Sequence, residues 1–329
     1  MGADAAWFTE ADVVTAVDLP AAVAAVRAVL QLEHEGCART LPKTAVGWGD
    51  GDTLHALGGV SEGLGLVGTK TWTHTSGGAT PLLVLWDAAT GDLQAIVEAF
   101  ALGQLRTASV SAVATDVLAR PDAAVFAMVG TGKQALAQVA AVISQRPIRE
   151  VRVFSPTASN RAEFSARLRD HVGDVDVVDC PDVASAVAPA HVITTATRSR
   201  QALLELDMIG DDVHVNALGA ITPDRRELGD SLVAGAHALV SDSPAIAKSL
   251  SADLADVEEP VSLAQVVADG WTRTGPGPTV FKAMGLGLAD IAVGAAVLDS
   301  SPARGGGRPI SATHRAAPRL FNPITGGSP

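Results

Sequence analysis

The sequence predicts an α/β chain in two parts: a doubly wound, Rossmann-type domain built on a parallel sheet, and a smaller α+β domain. Three observations carry this. Between about residues 118 and 283, short valine-rich runs alternate with helical patterns, as in a parallel sheet covered on both faces. One of those runs leads into Gly130-Thr131-Gly132-Lys133-Gln134-Ala135, a turn that opens a helix. Upstream, from 41 to 98, apolar pieces alternate with Gly-rich turns, as strands joined by turns do.

Taken in order, residues 11–35 place Val13, Val17, Val23, Val26 and Leu30 at helical spacing, with Gly36 as the stop. Thr53–Leu57, Gly65–Trp72, Leu82–Trp86 and Leu93–Val97 read as strands, the last two forming a hairpin across Asp87–Asp92. The strand Ala123–Val129 precedes the glycine turn, and a helix Gln134–Ile143 follows it. Glu150–Phe154, Val175–Asp179, His191–Ala196 and Val213–Leu218 are further strands, with helices at Asn160–His171 and Val183–Val187. The expected division is 1–117 with 284–300 as one domain and 118–283 as the other. Residues 301–329, rich in Gly, Pro and Arg, read as a flexible tail. The tail's arginines suit an acidic partner, or are simply solvated.

Composition narrows the function. Of 329 residues, 47% are hydrophobic and 18% charged, which excludes a disordered chain. A net charge of −12 opposes binding to nucleic acid or anionic membranes. Cys37 and Cys180 stand alone without metal-ligand spacing, so no metal site is expected. The start lacks a basic, apolar leader, and no apolar run reaches the length of a membrane span. A cytoplasmic protein is expected.

The glycine turn points to a cofactor. Gly130 permits the tight turn, Gly132 lets the backbone approach a pyrophosphate, and Thr131 and Gln134 flank it at a helix N-terminus that favours negative charge. Ala135 replaces the third glycine of the dinucleotide fingerprint. At the end of the next strand an acid would hold the ribose hydroxyls of NAD(H). Here Ser155 and Thr157 stand instead, with Arg161 nearby, which leans towards the 2′-phosphate of NADP(H). Arg161 reads equally as an exposed helix residue.

Four further segments carry a resemblance. They are Thr69-Lys70; Leu105-Arg106-Thr107-Ala108-Ser109; Val215-Asn216-Ala217-Leu218-Gly219-Ala220, running on to Pro223-Asp224-Arg225-Arg226-Glu227-Leu228; and Thr279-Val280-Phe281-Lys282-Ala283-Met284-Gly285. In this order, with the glycine turn between, the chain resembles the ornithine cyclodeaminase/mu-crystallin family from about residue 7 to 299. The resemblance implies a homodimer formed by the smaller domain and an active site between the domains. It implies that Lys70 reaches the substrate carboxylate or reacting nitrogen, that Arg106 clamps the carboxylate, and that Lys43 stands where members carry arginine or lysine. It places Thr107 and Lys282 near the cofactor, and Thr195, Thr197, Leu218 and Gly219 on the nicotinamide side. The chemistry agrees: guanidinium grips a carboxylate bidentately, and a desolvated lysine among cations exchanges protons near neutrality.

Two departures choose among activities. Cyclodeaminases of this family carry an aspartate where this chain has Ile221, which cannot accept a proton. Asp224 is expected to start a helix, with a substitute base as the alternative. His74, in the loop after Lys70, is a candidate proton donor or an exposed loop residue, and Ala283 replaces a common serine. The expected activity is NAD(P)H-dependent reduction of a small-molecule imino acid, a ketimine beside a carboxylate such as pyrroline- or piperideine-2-carboxylate. Alternatives are an amino-acid or N-substituted amino-acid dehydrogenase, an ornithine or lysine cyclodeaminase, and a ligand-binding protein without catalysis.

Overall fold

The computed structural model describes residues 5–304, 307–311, 318 and 320, and divides its strands between two eight-stranded sheets. The first sheet runs, edge to edge, Arg308–Ile310, Ala5–Phe8, Leu93–Glu98, Leu82–Asp87, Leu66–Thr75, Asp52–Ser61 and Ala38–Trp48, with Gly78–Ala79 paired beside Leu66–Thr75. Its pairings are antiparallel except Ala5–Phe8 with Leu93–Glu98. The expected hairpin is present, with Leu83 opposite Val97.

Every pairing in the second sheet is parallel, and its order is Asp176–Asp179, Glu150–Phe154, Val125–Val129, Val192–Thr195, His214–Ala217, Thr279–Lys282, Ala238–Ser241 and Val261–Ser262. Winding runs outward from Val125–Val129 in both directions. The crevice at the strand C-termini therefore opens where the order reverses, beside the glycine turn.

Several expectations are corrected. Residues 11–35 form two helices, Glu10–Ala16 and Leu19–His34, because Asp18 accepts from Ala21 N–H and Pro20 sits in the first turn, restarting the helix. The segment after Lys70 continues the strand to Thr75 and turns back through Gly78–Ala79, so His74 lies on an exposed strand end rather than in a loop. Asp224 starts no helix: it lies in a turn, accepting from Thr222 Oγ1 at 2.7 Å, and the next helix begins at Asp230. Within the expected tail, Ser301–Arg304 completes the helix Gly287–Arg304 and Arg308–Ile310 pairs with Ala5–Trp7. The remainder of that expectation lies outside the described residues, apart from 307, 311, 318 and 320.

The helix Phe100–Leu118 links the two sheets and was not anticipated. Leu102 and the run Ala108–Thr115 are buried, so its apolar surface runs all round with no helical period to see. Its ends are charge-capped. Glu10 accepts from the N–H groups of Phe100 and Ala101 at 2.6 and 2.8 Å. Arg146 donates to the carbonyls of Thr115, Asp116 and Ala119 at 2.9, 2.6 and 2.8 Å. Both charges oppose the helix dipole and satisfy terminal backbone groups. A buried seam then docks the helix on the parallel sheet: Asn216 Nδ2 donates to Thr115 Oγ1 at 2.9 Å, and His214 bridges Asn216 Oδ1 and Thr279 Oγ1. Burial pushes the His214 imidazole down to about 3, so it stays neutral in that seam. Among the described residues, no single helix is long and apolar enough to cross a membrane.

Candidate active site

A cavity of about 980 Å³ lies between the two sheets, its walls shared by the first sheet, the helix Phe100–Leu118 and the C-terminal ends of the parallel strands. Five cations line it (Lys43, Lys133, Arg106, Arg198, Arg225) against one carboxylate, Asp242. In a chain of net charge −12 this concentrates positive potential in one place and favours anionic ligands.

At one end the wall is backbone. Gly130 has φ +111°, and a Cβ there would stand 2.6 Å from the Ala196 carbonyl oxygen, so only glycine fits the turn. The N–H groups of Thr131, Gly132, Lys133 and Gln134 donate to no group among the described residues and precede the helix Ala135–Gln145. Gly132 has open space above its Cα, and the Gln134 side-chain oxygen is buried without a donor. This is a cradle of unspent donors at a helix N-terminus, and it fits a pyrophosphate. Ser155 and Thr157 line the adjoining wall with Phe154, Pro156 and Asn160. Arg161 does not line it. Its guanidinium pairs with Asp179 and donates to the Ser155 carbonyl at 2.9 Å, so the neighbouring strand has claimed the side chain.

Further along, Thr197, Leu218 and Gly219 line the cavity. Their loops are clamped by Glu227, a fully buried carboxylate. It accepts from Thr195 Oγ1 (3.0 Å), Thr197 N (2.6 Å), Thr197 Oγ1 (2.7 Å), Gly219 N (2.8 Å) and Ala220 N (3.3 Å). Gly219 is required there, since a Cβ would lie 2.2 Å from the Thr197 carbonyl oxygen. Thr195 is thus behind the wall, bound to Glu227. Lys282 is also behind it: Nζ bonds Asp253 Oδ2 at 2.7 Å with both side chains fully buried, and Asp253 Oδ1 accepts from the N–H groups of Glu227 and Leu228. The sequence placed Lys282 beside the cofactor; the structure makes it the far anchor of the Glu227 clamp.

The other end is built from charged side chains. In the strand Leu66–Thr75, Leu66, Gly68 and Lys70 are buried in alternation, so the period of two turns Lys70 inward, between Leu57 and Leu83 on the flanking strands. Lys70 is 4% exposed, its Nζ bonds Asp290 Oδ1, and the Trp72 ring lies 5.4 Å away. Lys70 stands just behind the wall that Trp72, Lys43 and Arg106 form. Burial, then the Arg106 charge, pushes the Lys70 ammonium down to about 8, against the pull of Asp290. Burial and Arg106 lower Lys43 in the same direction. Arg106 and Thr107 both line the cavity. Thr107 spends its hydroxyl on the Gly103 carbonyl at 2.7 Å. Arg106 Nε lies 3.2 Å from Asp290 Oδ1, out of line for a hydrogen bond, and its guanidinium donates to no group among the described residues. Asp242, raised by burial against the N–H groups of Met284 and Gly285, faces this cationic group. Ile221 and Ala283 line the cavity, whereas His74 and Asp224 do not.

Sequence reasoning missed Asp242, Asp253 and Asp290 and gave Glu227 no role. Asp290 had a signal: a lone acid inside the apolar run Leu286–Leu298 needs a buried partner.

The model of the ornithine cyclodeaminase/mu-crystallin family matches residues 5–304. The chain is 33% identical to the ketimine reductase mu-crystallin of Mus musculus over 220 residues, 66% of this chain and 68% of that one. It is 28% identical to a Δ1-pyrroline-2-carboxylate reductase of Bacillus cereus (strain ZK / E33L) over 280 residues, 79% and 85% of the two chains. The fold matches that of the Thermococcus litoralis Δ1-pyrroline-2-carboxylate reductase, solved with NADH and L-proline, with a TM-score of 0.86 at 21% identity over 93% of this chain and 100% of that one. The chain belongs to the ornithine cyclodeaminase/mu-crystallin family.

Proposed function

We propose that this family member reduces a ketimine adjacent to a carboxylate, with a nicotinamide dinucleotide as the electron donor. One observation carries the reading: the Arg106 guanidinium stands in the cavity wall with its donors unspent, between a lowered lysine and the dinucleotide cradle. An imino acid needs that set, a planar fork for its carboxylate and an ammonium for its nitrogen.

Gly130, Thr131, Gly132 and Gln134 would hold the pyrophosphate, Ser155 and Thr157 the adenosine ribose, and Thr107, Thr197, Leu218 and Gly219 the nicotinamide half. The bound dinucleotide supplies the hydride to the imine carbon. Arg106 and Lys43 fix the carboxylate, which sets the position of the C=N bond. Lys70 gives a proton to the nitrogen as the carbon becomes tetrahedral, leaving a secondary amine and a neutral lysine that water reprotonates. The cation must be present for this step, so reductive turnover is held below pH about 8 and falls as pH rises past it. The NADP(H) preference rests on the absence of any acid among the residues lining the wall at Ser155–Thr157. A homodimer is favoured by the edge strand Ala38–Trp48, whose Leu41, Val46 and Trp48 are exposed beside Leu54 of the next strand. Cyclodeaminase activity is disfavoured, because Ile221 meets the cavity and Asp224 does not.

The test is oxidation of NADPH or NADH in the presence of pyrroline- and piperideine-2-carboxylate, beside ornithine with NAD+ assayed for proline and ammonia. Reduced-nicotinamide loss with the imines, abolished in Arg106→Ala and Lys70→Ala, is the expected result. Proline and ammonia from ornithine would overturn it.

A further inference from the structure

We propose that Asp290 is a positioning residue for this reaction, one that pins Lys70 Nζ behind the cavity wall and keeps it protonated. The inference rests on the reading of Lys70 as the proton source. Asp290 occupies the first turn of the helix Gly287–Arg304 and is completely buried, between Leu288 and Ala289 on one side and Ile291 on the other. A carboxylate in such surroundings persists only with charge partners. Its partners are two of the site's cations: Oδ1 accepts from Lys70 Nζ and lies 3.2 Å from Arg106 Nε. The helix N-terminus adds favourable potential. Its second oxygen, Oδ2, is buried with no hydrogen-bond partner. An unsatisfied buried acceptor beside two catalytic cations is unusual for a purely structural ion pair.

The arrangement has a direct consequence. Lys70 carries three N–H donors and spends one on Asp290, its only hydrogen-bond partner among the described residues, which leaves two for a bound molecule. Burial, Arg106 from the helix Phe100–Leu118 and Lys43 from the strand Ala38–Trp48 all favour the neutral amine. Asp242 acts on Lys43 and Arg106. Among the described residues Asp290 alone is hydrogen-bonded to the ammonium, so it fixes where the proton is held and, against those three effects, extends the pH range over which it stays.

The experiment follows the full-length protein, labelled with carbon-13 at lysine Cε, by NMR across a pH series and reads the midpoint of the Lys70 signal, assigned by its absence in Lys70→Met. In Asp290→Asn, which keeps an oxygen acceptor and removes the charge, the Lys70 midpoint is expected to fall by about one pH unit, tenfold in proton affinity. The high-pH limb of kcat with pyrroline-2-carboxylate is expected to move down with it, while KM for NADPH holds. An unmoved midpoint would overturn the inference. Lys70→Met serves if Asp290→Asn fails to fold. With its ammonium gone, Asp290 keeps a buried charge without its hydrogen-bonded cation, so that variant should unfold at lower denaturant than the natural protein and adding Asp290→Asn should restore it; simply additive losses would overturn the coupling. The titration needs no substrate, so a shifted midpoint without imine reduction sinks the reductase reading and leaves the coupling standing. Imine reduction with an unshifted midpoint does the reverse.

Discussion

The two ends of the cavity are built in opposite ways. The proposed substrate end is made of charged side chains brought from distant segments: Lys43, Lys70 and Arg106, with Asp290 lying 220 residues beyond Lys70. The proposed dinucleotide end is made of backbone: a glycine turn whose N–H groups have no partner among the described residues, and loops at Thr197 and Gly219 held by one buried carboxylate, Glu227. Charge at the first end sets protonation and therefore chemistry. Backbone at the second sets placement, and its charges (Glu227, Asp253, Lys282) are withdrawn from the ligand to fix that backbone. Cations therefore differ in meaning within one site. Arg106 meets the cavity with its donors unspent, whereas Lys282 is paired with Asp253 in the interior.

This contrast predicts separable losses. The largest belongs to the substrate end: Lys70→Ala should lower kcat by about 10²–10⁴, the usual value of a positioned proton donor, with NADPH affinity unchanged in a fluorescence titration. Next is Lys282→Met, which leaves Asp253 charged and unpaired in the interior. Its cost should be about 3–5 kcal/mol in denaturant unfolding, and a loss of activity without a loss of stability would break the assignment. Smallest is Glu227→Gln, which keeps the volume of the clamp but turns one of its two acceptor oxygens into a donor facing backbone N–H groups. NADPH binding should weaken by about 10–10²-fold, since one charge-assisted contact is worth ~1.5–3 kcal/mol, while the high-pH limb of kcat stays in place. A shift of that limb would mean that the two ends are coupled.

Legibility in the sequence follows the same division. The dinucleotide turn is local: Gly130 to Ala135 sit between a strand and a helix, and every part of the signal lies within a few residues. The parallel strands and the Leu82–Trp86/Leu93–Val97 hairpin were visible for the same reason, through apolar runs punctuated by turns. Arg106, Lys43 and Lys70 are picked out by resemblance, because no periodicity joins residues on a helix and on two strands separated by a third. The helix that carries Arg106 shows no helical period because it is buried on every side over Ala108–Thr115. For Arg161 and Lys282, sequence gives a cation's address but not its partner. Asp179 and Asp253 had already taken them. Asp290 was hidden in an apolar helix whose N-terminus meets the Lys70 strand only in the folded chain.

The most direct test of the account is a crystal structure with NADP+ and a planar carboxylate such as pyrrole-2-carboxylate. The account predicts the carboxylate on Arg106 and Lys43, the ring nitrogen towards Lys70 Nζ, the pyrophosphate on the N–H groups from Thr131 to Gln134, and Lys282 still on Asp253. A carboxylate bound away from Arg106, or a Lys70 that stays out of reach of the ring with both ligands present, would contradict it.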